Sequence, residues 1–154
     1  MANAELIAAI RSELRAAADP VRAGGAQAYL KSEMSSLGVR VPAVRRHRLR
    51  GLLQAHRPEM AAVLRRWSTD GDFWIRRASI TAQLGAKSAT DTALLGDVIE
   101  ANLADREFFI RKAIGWALRD FSATDPDWVR GFVERHRAGL SPLSIAEALR
   151  KLPR

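Results

Sequence analysis

At 154 residues the chain fits one compact domain, 1–154, and two large domains are excluded. With 47% hydrophobic and 27% charged residues it has enough apolar side chains to fold, unlike the charged, apolar-poor chains that stay disordered. The absence of Cys removes disulfides, cysteine nucleophiles and thiolate metal sites, and the three His residues, His47, His56 and His136, are too scattered to suggest a metal cluster.

The first predicted element covers residues 4–18, where Leu6, Ile7, Ile10 and Leu14 recur at three- and four-residue steps and share one helical face, with Asn3 placed to cap it. Further helices are expected at 21–35, 42–55, 58–68, 72–84, 90–103, 107–121, 126–137 and 142–151. The breaks between them fall at Asp19-Pro20, Gly38, Pro42, Pro58, Asp70-Gly71, Gly85, Thr124-Asp125-Pro126 and Ser141-Pro142. Several of these join a capping side chain to a proline at the first helical position, where its missing N–H costs nothing. The Gly24-Gly25 pair weakens the second helix. Alternating Val, Ile and Thr, the mark of strands, are nearly absent, so the predicted class is all-α.

An internal repeat orders these helices. Asp72-Phe73-Trp74-Ile75-Arg76-Arg77-Ala78 matches Glu107-Phe108-Phe109-Ile110-Arg111-Lys112-Ala113 position by position, at an offset of 35. A hairpin of this length cannot bury its apolar face alone and has to stack on its neighbours, which predicts a short α-solenoid, a right-handed superhelix with one concave surface. Ile75, Ala78, Ile110 and Ala113 then face the core. Arg77 and Thr81 share a ridge, and Lys112 and Trp116 occupy the corresponding ridge of the next unit, so a basic row crosses the stack. Phe73, Trp74, Phe108 and Phe109, at helix starts, read mainly as packing between repeats, and Trp128 as core. Taken singly, a cation at a repeat position is more often a solvated face and an aromatic at helical spacing more often core; the shared register is what joins Arg77 and Trp116.

The segment Phe108-Phe109-Ile110-Arg111-Lys112-Ala113-Ile114-Gly115-Trp116-Ala117-Leu118-Arg119-Asp120-Phe121, followed by Asp125-Pro126 and Leu140-Ser141-Pro142-Leu143-Ser144, resembles the C-terminal signature of the DNA alkylation repair glycosylases of the AlkD type. Trp74-Ile75-Arg76-Arg77-Ala78-Ser79-Ile80 resembles the preceding helix of that family. Ala28-Tyr29-Leu30-Lys31, Leu37-Gly38-Val39, Pro42 and Arg45-Arg46 resemble its N-terminal part. The resemblance implies HEAT-like repeats, duplex DNA on the concave basic face, and hydrolytic release of cationic N3- or N7-alkylated purines without metal or cofactor. It implies that Arg77 contacts the DNA backbone near the lesion and that Trp116 belongs to the aromatic cleft there. These two form the candidate catalytic site, with Arg45, Arg46, Arg48, Arg50, Arg76, Lys112 and Arg119 as candidate DNA-binding residues.

One departure is decisive. The family carries a Trp-Trp-Asp-x-Val-Asp motif in a middle repeat, whose first aspartate is the acidic catalytic group, and no such string occurs here. The chain passes from Leu52-Leu53-Gln54-Ala55-His56 to Arg57-Pro58-Glu59-Met60 as though about two hairpins, on the order of 70 residues, were absent. Asp70 and Asp72, at a helix end, are not expected to substitute.

The functional expectation follows from charge as well as resemblance. Lys+Arg number 25 against 17 Asp+Glu, a net charge of +8, and only four of the 25 are Lys; planar guanidinium groups suit bidentate phosphate contacts. No apolar run approaches the ~18 residues of a membrane span, and the N-terminus lacks the order of a signal peptide, so a cytoplasmic, monomeric protein without a membrane partner is expected. Three readings remain open: an alkylpurine glycosylase acting on duplex DNA with alkylated bases, a DNA-binding solenoid of the same ancestry without the chemistry, and a protein-interaction scaffold.

Overall fold

The computed structural model describes residue 12, residues 15–30, residue 53 and residues 56–152. The chain divides into two compact units, residues 1–48 and 49–154. The predicted helix 4–18 lies largely outside the described residues, and 42–55 almost wholly so.

In the first unit, helix α1 (Pro20–Leu30) starts where Asp19-Pro20 predicts and continues through Gly24 and Gly25. Asp19 accepts a hydrogen bond from the Arg22 backbone N–H at 3.1 Å, and that bond, with the Arg22 guanidinium, holds its carboxyl below the usual carboxylate range.

The second unit contains α2 (Arg57–Trp67), α3 (Phe73–Thr81), a 3₁₀ turn (Lys87–Ala89), α4 (Thr92–Glu100), α5 (Phe108–Ser122), α6 (Pro126–Arg135) and α7 (Pro142–Ala148). There is no strand among the described residues, and the fold class is all-α. The starts are fixed by side-chain caps that satisfy orphan N–H groups. Asp72 accepts from Trp74 N at 2.8 Å, Asp91 from Leu94 N at 2.9 Å, Asp125 from Trp128 N at 2.9 Å and Ser141 from Ser144 N at 3.1 Å. Asp125 and Ser141 are each followed by the expected proline.

Helix ends depart further from expectation. The helix predicted to 84 stops at Thr81, because tertiary bonds claim the residues beyond it. Gln83 is buried and exchanges two hydrogen bonds with the Asp91 backbone, at 2.9 and 2.7 Å. Gly85, in the left-handed region at φ 74°, donates its N–H to Asp120 Oδ2 at 2.6 Å. Likewise α7 ends at Ala148 rather than 151, in a turn closed by Arg150 and Leu152 N–H groups.

The helices follow one another in three pairs, α2–α3, α4–α5 and α6–α7, of which α2–α3 and α6–α7 pack directly together. Their second helices pack side by side, α3 on α5 and α5 on α7, while α2 packs against α4. The buried stripe of α5, comprising Ile110, Ala113, Ile114, Ala117, Leu118 and Phe121, keeps the three- and four-residue spacing throughout. Polar bonds join successive hairpins at separations close to the repeat: buried Asn102 Nδ2 donates to Ser68 O, and Ser144 Oγ to Arg111 O, at 2.9 and 2.8 Å. Arg65 pairs with Asp97 at 2.7 Å, joining α2 to α4.

Helices α5 and α7 come close together at Gly115. A Cβ added at Gly115 would lie 2.6 Å from Glu147 Cβ and 3.0 Å from the Ser144 carbonyl oxygen. Gly115→Ala is expected to destabilise the fold by about 1–3 kcal/mol, the cost of overpacking a closed interface. Urea unfolding checks this, and a midpoint equal to that of the parent protein would remove the argument.

Candidate nucleic-acid interface

The repeated heptapeptide resolves into separate roles once its side chains are placed. The acid is a cap: Asp72 serves Trp74 N, and Glu107, at the equivalent position, serves Phe109 N at 3.4 Å. The aromatic pair fills the seam between repeats, with Phe73 stacked on Phe109 at 6.3 Å and Trp74 against Phe109 at 5.1 Å. Ile110 and Ala113 are buried, whereas Ile75 and Ala78 are half-buried. Trp128, expected in the core, is half-buried and packs against it, with ring contacts to Phe121 and Phe132 at 5.4 and 5.1 Å.

The basic pair splits. Arg76 is turned inward: its Nε and Nη2 donate to Asp105 Oδ2 at 3.2 and 2.9 Å, and its Nη1 donates to the carbonyls of Asp70 and Gly71 at 2.7 and 3.2 Å. This pins the start of α3 to the connection before α5. Arg119 is engaged in the same way, bridging α5 to α7 through Glu147. Both were expected to contact DNA, and both have their guanidinium groups held by this chain's own carboxylates. Arg45, Arg46, Arg48 and Arg50 lie outside the described residues.

Arg77 is different. It is half-buried, its Nε is enclosed without a hydrogen-bond partner, and its guanidinium lies over the Trp74 ring, 5.8 Å from the centroid. Burial draws it below its ordinary pKa without threatening its charge at neutral pH. Lys112, at the equivalent place of the next repeat, is exposed, with its Nζ 5.6 Å from the Phe108 ring centroid. Among the described residues neither cation forms an ion pair with a carboxylate.

Lys112 and Trp116 follow one another at a four-residue step along α5, and Trp116 is 41% exposed, far more than a core tryptophan. The ridge of Arg77 and Thr81 on α3 occupies the equivalent repeat positions of the helix packed beside it. Beyond those ridges, Gly85 and Asp120 are bonded to each other across the same offset of 35. Phe108, read from sequence as packing, is 47% exposed on the ridge of Lys112 and Trp116. The signal that could have found it, and the Trp74–Arg77 contact, is an aromatic three or four residues before a cation on one helix.

Asp70 and Asp72 are committed to local bonds: Asp70 Oδ1 accepts from Asp72 N at 2.9 Å, and Asp72 Oδ1 caps α3. Among the described residues no group of three or more His, Asp or Glu could hold a metal ion, and no helix is long and apolar enough to cross a membrane. A cavity of about 530 Å³, lined by Arg130, Val133, Glu134 and Leu149 among others, includes neither Arg77 nor Trp116.

An all-helical protein with cations free of carboxylate partners on two packed helices, and exposed aromatics on one of them, is the class that this geometry defines. Comparison with known proteins makes the class particular. The profile of the DNA alkylation repair enzyme family matches residues 10–49 and 46–152, and the chain belongs to that family. It is also similar to the solved structure of a predicted DNA alkylation repair enzyme from Enterococcus faecalis, at 30% identity and a TM-score of 0.64 over 84% of this chain. The match covers 59% of that protein, so this chain spans well under two thirds of its length. Among curated protein sequences nothing matches.

The two kinds of arginine should separate in stability measurements. Asp105→Ala, which strands Arg76, is expected to cost about 1–3 kcal/mol in urea unfolding. Arg77→Ala is expected to cost under about 1 kcal/mol, since it breaks no hydrogen bond or ion pair of the fold. Equal losses for the two variants would contradict the assignment.

Proposed function

We propose that this chain binds duplex DNA carrying alkylated bases along the surface formed by α3 and α5, in the service of alkylation repair. The observation that carries the reading is the row of Arg77, Lys112 and Trp116, two cations without carboxylate partners beside an exposed indole, at equivalent positions of packed repeats. Phosphates supply the anions that such cations lack, and an indole face suits a base that alkylation has made cationic. By the family resemblance, Arg45, Arg46, Arg48 and Arg50 are further candidate contacts to DNA phosphates.

By kinship the chemistry is hydrolysis of the N-glycosidic bond of N3- or N7-alkylated purines, without a cofactor. The bond electrons leave with the cationic base, which departs neutral, and water adds at the sugar carbon with loss of a proton. Electrostatic stabilisation of the developing oxocarbenium charge would drive it. A second reading, binding without chemistry, is favoured by one observation: the family's aspartate motif is missing from the sequence, and Asp70 and Asp72, which precede α3, are both held in local bonds.

The test is binding of duplex DNA containing a 7-methylguanine, measured across a salt series, with base release followed in parallel. Arg77→Ala and Lys112→Ala are each expected to lower affinity about tenfold and to reduce the salt slope by about one. Binding that ignores salt, or no binding, would overturn the proposal. Release of alkylated base above the spontaneous rate selects the glycosylase reading, and binding without release selects the second.

A further inference from the structure

Five cations of the described residues show two different ways of being held. Arg65, Arg76 and Arg119 are held by the carboxylates of Asp97, Asp105 and Glu147. Arg77 and Lys112 are set against aromatic rings, Trp74 and Phe108, at 5.8 and 5.6 Å from the centroids. The difference matters chemically. A carboxylate neutralises a cation and takes up its N–H groups, whereas the negative face of a ring attracts the same cation without cancelling its charge or occupying those donors. A ring can therefore fix where a guanidinium rests and still leave it able to bind an anion.

Trp74 is well suited to this. Its indole is itself held on two sides, 4.6 Å from Phe73 and 5.1 Å from Phe109 in the next repeat, so it presents a fixed surface. The enclosed Nε of Arg77 adds a second restraint, since that end of the group has no room to reach another partner. An aromatic–cation contact is also made at the equivalent cation of the next repeat, where Lys112 lies over Phe108, a ring supplied by the position equivalent to Phe73 instead of Trp74.

We propose that Trp74 is a positioning residue for Arg77, its indole setting the guanidinium toward a DNA phosphate, and that Phe108 does the same for Lys112 in the next repeat. This rests on the DNA-binding reading for its ligand but not for its geometry, and the two can be tested apart. Without DNA, the Arg77 side-chain Nε–H resonance is expected to be displaced by the indole ring current and to return to an ordinary position in Trp74→Leu. An ordinary position in the parent protein would overturn the proposal whatever the DNA measurements give.

With duplex DNA, Trp74→Leu is expected to lower affinity about two- to fivefold, Trp74→Phe to restore most of it, and Trp74→Leu to add nothing in an Arg77→Ala background. An equal further loss in that background would mean that Trp74 acts through the fold or touches DNA itself, and would also overturn the proposal. Phe108→Leu with Lys112→Ala repeats the cycle at a more exposed ring. Loss of binding in Trp74→Leu with no loss in Arg77→Ala would count against the positioning role, while no effect of Arg77→Ala and an intact ring-current shift would count against the DNA reading alone.

Discussion

A hairpin of two short helices exposes more apolar surface than it can cover by itself, and the rest of this structure follows from how that surface is closed. Helix α5 is the pivot. It packs on α3 and on α7, and its stripe from Ile110 to Phe121 is buried. Small residues at Ala113, Gly115 and Ala117 let the neighbouring helices come close, and the polar bonds between hairpins then fix their register. Asn102 to Ser68 and Ser144 to Arg111 each join a side chain to a backbone carbonyl about one repeat away. Such bonds, made inside a low-dielectric contact, leave little freedom for one hairpin to slip along the next.

That register determines which charges are available to a ligand. Arg76 and Arg77 are adjacent in sequence, yet the turn of about 100° between successive helical residues sends them to different environments. Arg76 meets Asp105 and two carbonyl groups, and Arg77 meets a ring. Composition counts the two alike. The structure divides them into one that builds the protein and one that is free to act beyond it, which is why the chemistry proposed for the α3–α5 surface rests on few side chains.

Much of the fold was legible because local rules decided it. Asp125 and Ser141 cap helices where the cap-and-proline pattern predicts, and the heptapeptide period locates the core at Ile110 and Ala113. The inward roles of Arg76 and Arg119 were not legible, since their partners, Asp105 and Glu147, are 29 and 28 residues away and enter only through packing. The early end of α3 has the same origin: helical periodicity continues past Thr81, but Gln83 and Gly85 are claimed by Asp91 and Asp120. Phe108 was misjudged for a subtler reason. A Phe-Phe pair at a helix start reads as one packing unit, yet Phe109 takes the seam and its neighbour is turned to the outside.

The missing side chain at Gly115 has a consequence for the residue that follows it. With the Ser144 carbonyl and Glu147 lying where a methyl group would stand, α5 cannot roll about its own axis toward α7. Trp116 inherits its bearing from that stop, although the indole takes no part in it. A change made deep in this contact could thus leave the protein folded, swing the ring by a few degrees, and register as a defect in recognition.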